Sequence, residues 1–237
     1  MNQTALMANT GDQQMLVYCS GSHYSPEEIA GMLEISAALE QNGYKTYLPS
    51  RDGVEFLTSK LGADPELDRD QLFEILNVLN KVTFALDIYQ VVRRCDALVL
   101  NMNGRTPEEG SVFKTSLAYS TGKPLVLYKN DDRSAFYGRD NTMLTGLSGD
   151  FTVIRKLPQL SKALSRAIIK APPNSYNKDK GLHHPPFVRQ ALTLGEMVWD
   201  VWRKMNFSQL DETGLREQVL DFKARCEDLL EKVPIEI

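Results

Sequence analysis

The chain has 237 residues, 42% of them hydrophobic and 24% charged, enough for one sizeable core and an appendage. A formal net charge of -4 gives no footprint for a nucleic-acid polymer, which usually needs a clustered basic surface to displace counterions. Cys19, Cys95 and Cys226 are widely spaced with no CxxC pair, so the reading is a reducing, cytoplasmic setting without structural zinc.

No apolar run approaches the ~20 residues of a bilayer span, and the polar residues 1–14 read as a disordered tail without a signal-peptide core. MLVYC at 15–19 is a short apolar run ending in SGSHYS, which predicts a buried first strand and a turn. Ser25, Pro26 and Glu28 then provide a hydroxyl cap, a proline at the first helical position and a capping-box glutamate. The helix that follows carries Ile29, Met32, Leu33 and Ser36/Ala37 on one face and ends at Asn42-Gly43. YKTYLPSRDG reads as a second strand and a loop. From Asp68 to Cys95 helix formers dominate, with Leu72, Leu76 and Leu79 on one stripe, predicting one bent helix or two.

ALVLNM after Asp96 is a third strand, the polar NGRTPEEG a loop, and Ser111 to Ser120 a helix stopped by Gly122-Lys123-Pro124. LVLYK is the fourth strand, 129–148 a long polar loop, FTVI a short fifth strand and 158–169 a helix. Such a loop exceeds ordinary connection lengths, which suggests function or an interface between copies. After a polar, proline-rich linker at 171–185, two helices are expected at about 186–206 and 211–232 within a helical extension, 186–237. Leu215, Val219, Phe222, Cys226 and Leu229 give the last one a narrow apolar seam, to be packed on the body or on another subunit.

Strands alternating with helices, and apolar on both faces, predict an α/β fold over 15–170. Its core is a flavodoxin-like or Rossmann-like five-stranded parallel sheet of order 2-1-3-4-5, with helices on both faces. Ligands of such sheets bind beyond the carboxyl ends of the strands, where strand order reverses. The loops after Cys19 and Met102 belong there. Ser20, Gly21 and Ser22 form a small-residue turn ahead of a helix N-terminus that suits phosphate or ribose, and equally an ordinary strand-to-helix turn. Glu108 and Glu109 favour the positive end of a helix dipole with or without a chemical role. Asp52 and Asp87 are carboxylates that can face the same crevice, or a turn and a solvated helix residue. His23, His183 and His184 lack the spacing of a metal ligand set, so no metal and no cofactor are expected. Trp199 and Trp202, three apart, read as packing.

In order along the chain, MLVYCSGS, YLPSRDG, CDALVLNMNGRTPEEGS and LAYSTGKPLVLYK resemble the nucleoside 2-deoxyribosyltransferase family over about residues 15–169. The resemblance implies a purine or pyrimidine (deoxy)nucleoside or nucleotide as ligand and a homo-oligomer in which a neighbour helps close the site. It also implies a glutamate on the helix after the third strand that attacks the anomeric carbon. Counted from Gly110, that slot falls on Lys114, with Ser116 two positions on. Asp87 corresponds to the aspartate that protonates or orients the leaving base. Asp52, Asn101, Asn103, Gly104, Arg105, Gly110 and Ser111 fit positions lining the pocket, together with Ser20, Gly21 and Ser22.

An ammonium beside a sugar that develops positive charge raises the barrier, so the expected function is nucleoside or nucleotide binding with N-glycosidic transfer or hydrolysis reduced or lost. The first alternative is an active transferase or N-glycosidase using Glu109 or Asp87. The second is an oligomeric scaffold with a vestigial pocket.

Overall fold

The computed structural model describes residues 14–61, 67–134, 139–171, 184–205 and 212–235. Most of the expected N-terminal tail and linker lie outside them. Five short strands pair as one parallel sheet: β1 (Leu16–Ser20), β2 (Lys45–Tyr47), β3 (Ala97–Asn101), β4 (Leu125–Tyr128) and β5 (Val153–Ile154). Their order, β2-β1-β3-β4-β5, is the one expected, with the reversal point between β1 and β3.

Alternation along each strand sorts the side chains onto two faces. Val17, Cys19, Ala97, Val99, Val126 and Tyr128 pack against α1 (Pro26–Glu40) and the later helix α7 (Leu160–Lys170). Tyr18, Leu98, Leu100, Leu125 and Leu127 face the opposite side, under Ala118 of α5 (Glu109–Ser120). α1 begins as its sequence dictates: Ser25 Oγ accepts from Glu28 N at 3.2 Å and Glu28 Oε2 accepts from Ser25 N at 3.0 Å.

SRDG, expected as loop, is helical up to Asp52. Pro49 opens a single turn, α2 (Pro49–Asp52), and Asp52 Oδ2 folds back to accept from Leu48 N at 2.8 Å. A short helix α3 (Glu55–Leu61) follows, with Val54 just ahead of it and its own Leu57 and Leu61 buried. The stretch after Asp68 is one 21-residue helix, α4 (Arg69–Tyr89), capped by Asp68 and prolonged by a π-turn over Gln90–Arg94. In the long loop after β4, Asn141 caps a further turn, α6 (Thr142–Thr145).

The C-terminal helices α8 (Pro186–Trp202) and α9 (Glu212–Lys232) build a second core with α3 and α4. The α9 seam packs on its own body: Val219, Phe222 and Cys226 are at most 1% exposed, and Phe222 meets Trp202 edge-on at 5.4 Å. Arg69–Arg94 is the one described segment long and apolar enough to cross a membrane, and half of that stretch is buried inside the fold.

α8 crosses α4 so closely at Gly195 that a Cβ there would stand 2.2 Å from Ala85 O and 2.6 Å from Tyr89 Cβ. Gly195→Ala is therefore expected to destabilise the protein. Parting the helices costs about 1–3 kcal/mol, which outweighs the ~1 kcal/mol gained in helix propensity. A urea-unfolding midpoint equal to or above that of the wild type would contradict this crossing.

Candidate functional site

Tyr18 leaves β1 toward the face covered by α4 and α5, and there its hydroxyl donates to Asp87 Oδ1 at 2.6 Å. The other carboxylate oxygen of Asp87 accepts from Lys114 Nζ at 3.0 Å. Helical spacing explains the meeting: Asp87 sits in the last turn of α4, Lys114 one turn and a half into α5, and the two helices lie side by side. Lys114 does not point to solvent, as lysines commonly do. Its side chain is 12% exposed, that of Asp87 15%, and its ammonium lies 5.7 Å above the Tyr18 ring. Burial works against the charged ammonium, but Asp87 and Glu55 outweigh it and hold the group above the ordinary lysine range. Burial and then the charge of Asp87 push the Tyr18 hydroxyl well up, so it remains a donor.

Glu55, in the first turn of α3, is the member of this cluster that the sequence reading missed. Burial, followed by the charge of the neighbouring Asp87, raises its carboxyl to about 8, against the opposing pull of Lys114. The Glu55 oxygen Oε2 and the Tyr47 hydroxyl are sealed from solvent and have no hydrogen-bond partner among the described residues. Both crowd Gly53, where a Cβ would stand 2.8 Å from Glu55 Oε2 and 2.5 Å from Tyr47 Oη. Apolar residues at Val54, Leu57 and Leu61, one and two helical turns apart, were the signal that would have placed Glu55 on a helix.

Asp87 and Lys114 form the polar end of a cavity of about 110 Å³ whose other walls are Phe84, Ile88, Gly110, Phe113 and Leu117. Phe84 and Phe113 stand partly in solvent at its mouth. Glu108 caps α5, accepting from Gly110 N at 2.8 Å and Ser111 N at 2.5 Å, which keeps the head of that helix fixed beside the cavity. Glu109 is exposed at the first turn.

The remaining expected site residues gather at the carboxyl edge of β1 and β3. Ser20 is buried there beside Gly21, where a Cβ would stand 2.5 Å from Met32 Sδ and 2.9 Å from Asn101 Cβ. Ser22 lies near Glu28 at the head of α1, where it helps hold that carboxyl below the ordinary range. Asn101 accepts from Asn103 N at 3.1 Å. Asn103 donates to Asn130 Oδ1 at 2.7 Å and accepts from Asn130 N at 2.9 Å, while Gly104 N donates to Asp131 Oδ2 at 2.7 Å. These groups stitch the loops after β3 and β4 together. Asp52 is engaged with Leu48 N and Arg51, away from Lys114, and Arg105 is exposed.

A second cavity, of about 260 Å³, lies beyond β4 and β5 among Lys129, Asp131, Arg133, Asp140 and Arg155. Its charges are taken up by one another: Lys129 Nζ, 1% exposed, meets Asp140 Oδ1 at 2.7 Å, and Arg133 meets Asp131 at 2.7 Å. Among the described residues no group of three or more His, Cys, Asp and Glu converges as a metal-ligand set.

None of the curated proteins matches the chain. Thirteen chains of solved structures do. One is a conserved protein from Enterococcus faecalis V583, 16% identical, which covers 65% of this chain with 99% of its own length at a TM-score of 0.43. The sequence model of the nucleoside 2-deoxyribosyltransferases matches residues 17–180, from the first strand past the last helix of the α/β body. With more than half of its length so matched, the chain belongs to the nucleoside 2-deoxyribosyltransferase family.

Proposed function

We propose that this protein binds a nucleoside or nucleotide against the Asp87–Lys114 wall, with N-glycosidic transfer or hydrolysis reduced or lost because Lys114 stands in the slot of the nucleophilic glutamate. The observation that carries the reading is the ion pair itself. Lys114 is held at 3.0 Å by Asp87 in a nearly closed setting, so its positive charge is a fixed feature of the wall. A glycosyl group leaving its base develops positive charge, and a fixed ammonium repels it where a carboxylate would stabilise it.

The apolar walls at Phe84, Ile88, Phe113 and Leu117 suit the flat face of a base, and the polar end presents the paired charges of Lys114 and Asp87. The alternative that recruits Asp87 or Glu109 for catalysis has less support. Both oxygens of Asp87 are already engaged, and Glu109 lies exposed at the helix entrance.

Calorimetric titration with a panel of nucleosides and nucleotides, paired with a chromatographic assay of deoxyinosine plus a free acceptor base, tests the reading. The expected result is saturable binding of at least one panel member with no base exchange. Robust exchange by the wild type, or no binding across the panel, overturns it.

A further inference from the structure

The cluster behind the cavity holds two carboxyl groups and one cation. Lys114 is committed to Asp87 Oδ2, and Asp87 Oδ1 takes the Tyr18 hydroxyl. Glu55 therefore has no cation of its own, and its Oε2 is buried without a donor. An ionised oxygen in that position costs several kcal/mol in lost solvation. A protonated carboxyl becomes a donor, and the carboxylate that bears most strongly on Glu55 is that of Asp87.

We propose that Glu55 is a protonated positioning residue that holds Asp87 against Lys114, so that the cluster carries no net charge until Glu55 ionises and adds one negative charge behind the cavity wall. The groups facing Glu55 come from each element packed around it. They are Tyr18 from β1, Tyr47 from β2, Asp87 from α4 and Lys114 from α5, with Tyr24 ahead of α1. Two of these charges, Asp87 and Lys114, oppose one another, and the Asp87 carboxylate together with burial wins. The inference concerns the unliganded protein. Its bearing on ligand binding rests on the reading above that Asp87 and Lys114 face the ligand.

The sign of the stability effect follows from linkage. A carboxyl that holds its proton more tightly folded than unfolded contributes stability that is fully present below the ordinary glutamate range and is lost as pH rises through about 8. Full-length protein labelled with ¹³C-glutamate, followed by carboxyl NMR from pH 5 to 10, should show one resonance with a midpoint near 8, absent in Glu55→Gln. Asp87→Asn should lower that midpoint by removing the opposing charge and freeing Lys114, and Lys114→Met should raise it. The melting temperature of the wild type should fall from pH 5 to 9, with this component missing in Glu55→Gln, which keeps a donor toward Asp87.

A Glu55 resonance titrating with the other glutamates overturns the proposal, as does a high midpoint that neither variant moves. If the high midpoint and both shifts are found but no nucleoside binds, the assignment of Glu55 stands and the proposed ligand falls.

Discussion

Replacing Lys114 by glutamate is expected to raise base exchange between deoxynucleosides about a thousandfold above the wild-type background. Two unit charges 4 Å apart interact by about 4 kcal/mol at an effective dielectric of 20, and about 4 kcal/mol in a barrier is about a thousandfold in rate. On the proposed function, the substitution removes a repulsion of that order from the developing oxocarbenium and supplies the carboxylate that the resemblance implies as nucleophile. It also takes the cation away from Asp87 and Glu55, so three carboxyl groups then share one wall. The gained activity should therefore increase with pH as the introduced carboxyl loses its proton. Deoxyinosine or thymidine with a free acceptor base, resolved by chromatography, gives the rate. A folded, nucleoside-binding variant that stays at background would show that Lys114 does not occupy the nucleophile's place.

The C-terminal helices should prove inseparable from the body. Phe222→Ala is expected to cost about 3–5 kcal/mol and to lower the whole denaturation curve in one step. Phe222 is wholly buried among α3, α4, α8 and α9, and its ring meets Trp202 edge-on, a contact of about 0.5–1.5 kcal/mol beyond the area it buries. Trp202 in turn donates from Nε1 to Asp52 O at 2.8 Å, and Trp199 packs edge-on against Tyr47 and under Arg94. Loss of Phe222 should thus be felt in the segment that carries Glu55. Urea unfolding followed in parallel by tryptophan fluorescence and far-ultraviolet circular dichroism tests this. Two separated transitions would mean that the extension folds on its own.

The sheet was legible because its inner strands β1, β3 and β4 are buried on both faces and stand out as apolar runs between turn residues, whereas the edge strand β2 is only Lys-Thr-Tyr. Strand order followed from the alternation with helices. The cap at Ser25 and the seam of α9 were legible because each rests on local spacing. The candidate site was legible in part. Lys114 and Asp87 were singled out by resemblance, but nothing in EGSVFKTSLAYS says on which side of α5 Lys114 falls, since apolar residues occur around the whole helix. Only the placement of α4 decides that. Glu55 escaped notice because SRDG resembles a turn. Asp52 closes its own helical turn, which from sequence is indistinguishable from an acidic residue lining a crevice. Asn103 and Gly104 were chosen for their place after β3, and their stitching to Asn130 and Asp131 joins loops that the sequence separates by 27 residues.

The bond from Trp202 to Asp52 spans 150 residues, which bears on how the chain matures as it is made. All five strands exist once Ile154 has been synthesised, so the sheet and the α1 side can assemble while the ribosome is still at work. α4 cannot be finished then. Its inner flank, in the one described segment whose length and hydropathy match a bilayer span, stays bare until Pro186–Trp202 and Glu212–Lys232 have emerged. During that interval the nascent protein presents a sticky amphiphilic rod beside a half-built pocket. Contacts this distant in sequence close late, so the wall behind Glu55 is sealed by helices made long after the sheet.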